Sequence, residues 1–135
     1  MSWFRWEPKT AGLVSSSIIK ARLKELCPKA YIGLDDREYR IPADPSEVFW
    51  KCSPVRYKYI PGKRDCEDFA RMALGWLSRK AMGDLLVFKV NAYPQTGFGH
   101  CMIGTLKNGE IILGEPKTGR ISSFKEGYEI KRIIA

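Results

Sequence analysis

Asp65-Cys66-Glu67-Asp68-Phe69-Ala70-Arg71-Met72-Ala73-Leu74-Gly75-Trp76-Leu77 reads as a helix that opens on a thiol. Asp65 is the expected N-cap, because its carboxylate accepts from the first free backbone N–H groups and an acid suits the positive end of the helix dipole. Phe69, Met72, Ala73, Trp76 and Leu77 recur at offsets of three and four, which gives one apolar stripe for a core. The helix is therefore expected to be buried lengthwise, with its first turn facing a cleft. A thiolate attacks where a thiol does not, and both a helix N-terminus and a neighbouring imidazolium favour the thiolate.

Working outward, the chain's one histidine, His100, begins the run His100-Cys101-Met102-Ile103-Gly104-Thr105-Leu106. A second apolar run, Ile111 to Gly114, follows Lys107-Asn108-Gly109-Glu110, and Asn-Gly between two such runs is a strong hairpin signal. With Asn108 and Gly109 as the loop, Lys107 opposes Glu110 and Met102 opposes Glu115. Side chains alternate along a strand, so His100, Met102 and Glu115 share a face. Glu115 then lies diagonally across from His100, at roughly 7–8 Å between backbones, where a carboxylate can orient an imidazole. Cys101 points to the face opposite His100 and is expected to be buried behind the sheet.

These segments carry a resemblance. Tyr59-Ile60-Pro61-Gly62-Lys63-Arg64-Asp65-Cys66-Glu67-Asp68-Phe69-Ala70, then Gly99-His100, then Gly114-Glu115-Pro116-Lys117-Thr118 resemble the papain-like cysteine-peptidase domain of the mushroom agglutinin C-terminal type and its bacterial and phage relatives. Tyr39 to Glu47 also looks like that family's approach to the nucleophile, so the resemblance covers about residues 39 to 120. It implies an α+β, papain-like/transglutaminase-like fold, with the nucleophile helix packed on an antiparallel β-sheet. It makes Cys66 the nucleophile, His100 the general base and acid, and Glu115 the orienting acid. Glu67 stands where the family has Asp, Cys101 follows the histidine where a small residue is common, and Lys117 replaces a glutamine. The thiol chemistry itself requires no cofactor, and the family's calcium role falls on Glu67 and Asp68. Lys117 either pairs with Glu115 or recognises an acidic group on a substrate. Tyr57, Tyr59 and Trp50 are candidates to line the cleft beside Cys66.

Composition bounds the remaining choices. The 135 residues suit one domain, 1–135, with 44% hydrophobic residues and no repeat, low-complexity tract or linker. A net charge of +8 invites a nucleic-acid reading, but the cations are dispersed and no nucleic-acid motif or zinc-finger spacing is present. Cys27, Cys52, Cys66 and Cys101 form no C-x-x-C pair, which argues against zinc and for free thiols in a reducing cytoplasm. The opening residues show no signal-peptide pattern and no membrane span, so no membrane partner is expected.

The other elements follow from local pattern. Residues 1–14 read as irregular, with Trp3, Phe4 and Trp6 folding back onto the domain. Ser15 to Cys27 is an amphipathic helix stopped by Pro28, and Tyr31 to Ile41 holds one or two short strands. Asp44 and Pro45 open a short helix that runs to Cys52, Leu85 to Asn91 is a buried strand, and Tyr128 to Ile134 alternates as a final strand.

Each site residue also has a structural reading. Cysteine is among the most buried residue types, a lone histidine at a strand start is commonly structural, Glu67 and Asp68 serve a helix dipole, and Glu115 before Pro116 fits a strand end. Two functional classes follow. One is a cysteine hydrolase acting on a protein or peptide amide, including a peptidoglycan stem peptide, in which Cys66 attacks the carbonyl and His100 protonates the leaving amine. The other is a non-catalytic phage- or bacterium-encoded binding module that engages a host protein or nucleic acid through its basic surface.

Overall fold

The protein is described from a computed structural model, which covers residues 6–54, 60, 65–81 and 84–135. The chain opens with β1 (Thr10–Ser15), α1 (Ser16–Leu26), β2 (Tyr31–Gly33), β3 (Glu38–Pro42) and α2 (Pro45–Cys52). Then come α3 (Cys66–Lys80), β4 (Phe88–Tyr93), β5 (His100–Lys107), β6 (Glu110–Gly114), β7 (Ile121–Ser122) and β8 (Glu129–Ile134). Six strands form one sheet in the order β2-β8-β4-β5-β6-β7, and β1 pairs separately with β3.

Helix starts follow their capping residues. Ser15 accepts from the Ile18 N–H to open α1, and Asp44 accepts from the Glu47 N–H to open α2 with Pro45 in its first turn. Each helix then buries one stripe. Ile19 and Leu23 of α1 pack with Phe88, Val90 and Ile133 on one face of the large sheet. Phe49 and Val48 of α2, together with Ala70, Ala73 and Leu77 of α3, pack with Cys101 and Ile103 on the other. Being covered on both faces, β5 is buried continuously from Cys101 to Leu106, so its sequence shows an apolar run rather than an alternation. Thr105, the polar residue in that run, donates its hydroxyl to the Leu86 carbonyl at 2.5 Å.

The β5–β6 hairpin has the expected register. Lys107 opposes Glu110 and Ile103 opposes Gly114, while Asn108 (φ 52°) and Gly109 (φ 75°) turn the chain in the left-handed region that a two-residue hairpin loop requires. At Gly114 the α2 helix comes so close that an added Cβ would sit 2.6 Å from Phe49 Cδ2.

Three expectations are corrected. The α+β arrangement of papain-like/transglutaminase-like type, with a helix on an antiparallel sheet, gives way to a mixed sheet in which β2 runs parallel to β8. Strands outnumber helices eight to three among the described residues, and helices cover both faces of the sheet. The physical reason is long-range: β2 and β8 lie at opposite ends of the chain, and local periodicity does not reveal a parallel partner so distant in sequence. Residues 10–14, read as irregular, belong to β1, a strand held by β3 with a register shift between Thr10 and Gly12. The strand expected at Leu85–Asn91 starts at Phe88, because Leu85 bridges to Arg40 and the Leu86 N–H donates to the Arg40 carbonyl. Trp6 does fold back, packing tilted at 48° against Trp76 with ring centroids 5.8 Å apart, while Trp3 and Phe4 lie outside the described residues.

Candidate functional site

The first turn of α3 is fixed from both sides of its cap. The Asp65 carboxylate accepts from the Asp68 N–H at 3.4 Å, and the Asp68 carboxylate accepts from the Asp65 N–H at 3.1 Å. This reciprocal box holds Cys66 as the first helical residue, where backbone N–H groups lack helical partners and the dipole is positive. Phe69, one turn on, is fully buried and anchors the helix to the core.

β5 and β6 bring the other two groups to the thiol. His100 is the first residue of β5, and Glu115 directly follows β6, so the hairpin register sets both at one end of the sheet. Their side chains approach to 3.6 Å between Nε2 and Oε1. Hydrogen bonding to Cys66 first, and to Glu115 second, outweighs burial and raises the His100 pKa to about 9. The imidazole is thus protonated at neutral pH. The Phe124 ring meets it edge-on, with centroids 6.0 Å apart.

These residues line a cavity of about 430 Å³. Cys66, His100 and Glu115 meet there above Phe69, and Pro116, Lys117, Thr118 and Arg120 supply the wall from the loop after β6. Cys52 and Cys101 are buried, and desolvation pushes each thiol up to about 12. Cys101 indeed points into the core, clustering with α2 and α3 residues. Cys27 lies away from this cavity, in a second depression of about 390 Å³ beside Tyr128 and Ile130.

The remaining candidates divide. Lys117 is in the wall, its ammonium 5.7 Å from the Phe69 ring centroid. Trp50 is 69% exposed on α2 and does not line the cavity, and Tyr57 and Tyr59 lie outside the described residues. Glu67 turns to Lys89 at 3.1 Å and Arg71 at 3.3 Å, and the Lys89 hydrogen bond leads in lowering its carboxyl pKa. Asp68 serves the helix cap and lies 4.0 Å from Arg71. Among the described residues, no three His, Cys, Asp or Glu side chains are grouped to hold a metal ion. Phe124 and Arg120 were not singled out by sequence; Arg120 carried a signal, as a second cation five residues after Glu115, and Thr118 was quoted only as the end of a motif. Among the described residues no helix is long and apolar enough to cross a membrane.

No protein-family model matches the chain, and no curated protein matches it. Solved structures do. One is titled "PSL1a-E64 complex", with a TM-score of 0.75 and 17% identity over 91% of this chain and 51% of the other. Another is the Polyporus squamosus lectin bound to a human-type influenza-binding epitope, Neu5Aca2-6Galb1-4GlcNAc, with a TM-score of 0.71 and 15% identity over 91% of this chain and 49% of the other. The chain thus spans about half the length of each, and at these identities the likeness is one of fold. The expected membership of the papain-like cysteine-peptidase family, with its transglutaminase-like relatives, is corrected by these matches. The fold is shared with a chain titled as a lectin, and the descriptions cysteine peptidase, thiol protease and catalytic triad are not what the likeness carries to this chain.

Proposed function

We propose that the chain is a binding module whose ligand enters the Cys66–His100–Glu115 cavity and is held against the thiol. The observation that carries this reading is convergence: the wall of one cavity brings together a thiol, an imidazole hydrogen-bonded to it and a carboxylate 3.6 Å from that imidazole. A lectin among the fold neighbours supports a binding role, while the sugar in its title belongs to that protein. A protonated His100 donating to sulfur suits a polarised ligand such as a peptide carbonyl, and the N–H groups that open α3 would face its oxygen.

A second reading adds turnover to the same cavity. It is favoured by His100 lying within reach of both Cys66 and Glu115, a relay that binding alone does not need. Cys66 sulfur would bond to an amide carbonyl carbon, the C–N bond would break as His100 gives its proton to the leaving amine, and water would then release the acid. Calcium at Glu67 and Asp68 would enter only by displacing Lys89 and Arg71 from the carboxylates.

Mass-resolved labelling of the folded protein with E64, the ligand named in one matched title, and with iodoacetamide tests the cavity. Adducts confined to Cys66, with a rate at neutral pH at least about tenfold above free cysteine and lost in His100→Ala, are expected. Labelling of Cys66 no faster than free cysteine contradicts the reading. Release of amine from peptide amides then separates turnover from binding.

A further inference from the structure

The loop between β6 and β7 is built more rigidly than a connector requires. Its ends are tied by the Glu115 N–H donating to the Arg120 carbonyl at 2.8 Å, and the Gly119 N–H donates to the Glu115 carbonyl at 2.7 Å. Inside it, the Arg120 N–H donates to the Thr118 hydroxyl at 3.3 Å. Gly119 has φ 74°, and a Cβ there would lie 2.5 Å from the Phe49 carbonyl oxygen and 2.9 Å from the Trp50 nitrogen. Only glycine lets this turn seat on the α2 backbone. The seat fixes which way the cavity wall faces.

That wall is cationic. Among the described residues that line it, Lys117, set over Phe69, and Arg120 stand with His100, and the one carboxylate, Glu115, faces the imidazole. Phe69 and Pro116 supply apolar surface between the charges. A ligand that fits carries an acid beside the group offered to Cys66. Bare phosphate would leave the apolar surface uncovered.

We propose that the 115–120 loop is a specificity element in which Lys117 and Arg120 select an acidic peptide, pairing with an aspartate or glutamate carboxylate next to the carbonyl presented to Cys66. This rests on the thiol-centred cavity proposed above and names its ligand class. Glu115 orients His100, and the two cations act on the ligand.

Two small alkylators that differ in charge separate the loop from the thiol. Rates of Cys66 modification by iodoacetate and by iodoacetamide are compared in the native protein, in Lys117→Gln/Arg120→Gln, and in a remote charge control, Lys20→Gln/Lys131→Gln. Removing two cations near the sulfur is expected to lower the iodoacetate-to-iodoacetamide ratio about fivefold at low salt, the ratio cancelling any change in thiolate fraction that both reagents share. The remote pair should leave the ratio within about twofold, since screening weakens distant charges. Gly119→Ala keeps both cations but moves their seat, and should lower the ratio too. A ratio unchanged in the double variant, or lowered equally by the remote pair, overturns the specificity element while leaving the thiol site standing. If iodoacetamide reacts with Cys66 no faster than with free cysteine, the thiol site falls and this inference falls with it.

Discussion

Asp65 shows how one residue sets a site without entering it. Its carboxylate takes the Asp68 N–H and its own N–H is taken by Asp68, so the helix starts at Cys66 and not a residue later. Replacing Asp65 with alanine should cost about 1 kcal/mol, read as a lower urea midpoint with unchanged slope. Thr105→Val should be felt as well. Its hydroxyl is fully buried on the Leu86 carbonyl, and its loss leaves that acceptor unpaired at a cost of about 1–3 kcal/mol in the same assay. Asp65 was legible from sequence as the N-cap because caps are local. Phe124 was not, since its edge contact with His100 depends on how the chain returns after β7.

Among the elements, the hairpin was the most readable. Asn108-Gly109 fixes both the turn and the register, and the register alone puts Glu115 within reach of His100. β1 was the least readable, because its residues gain strand form from β3 and not from their own pattern, with exposed Leu13 and a register shift at Gly12. β2 was found as a strand, but its parallel pairing with β8 was not, since that partnership is made across the whole chain. The packing of α2 on β6 depends on Gly114. Gly114→Ala would push a methyl into the fully buried Phe49 ring and should destabilise by about 1–3 kcal/mol, measured by thermal or denaturant unfolding.

For the whole molecule, burial on both sheet faces explains why composition pointed to a packed protein and why β5 reads as an apolar run. Phe88 sits at 0% exposure in the α1-side core, and Phe88→Ala should cost about 3–5 kcal/mol in an unfolding measurement. Stability should also depend on pH through His100. Its pKa is raised in the folded state to about 9 from 6.5, so the protonated histidine favours folding. That contribution is fully present below pH 6.5 and is lost as pH rises through about 9. A melting temperature that falls over this window in the native protein, and falls less in His100→Asn, is the expected result. Cys66, His100 and Glu115 line one cavity, while the family resemblance read from their segments is corrected by the fold neighbours, which at 17% and 15% identity carry no activity to this chain.

The account rests on His100 being held protonated beside Cys66 and Glu115. Because His100 is the chain's one histidine, its ring resonances can be followed by NMR through a pH titration without ambiguity. A midpoint near 9, moving down toward 6.5 in Cys66→Ala, is predicted from the hydrogen bond that leads the shift. A midpoint at the ordinary histidine value of about 6.5, unmoved by that substitution, would contradict it.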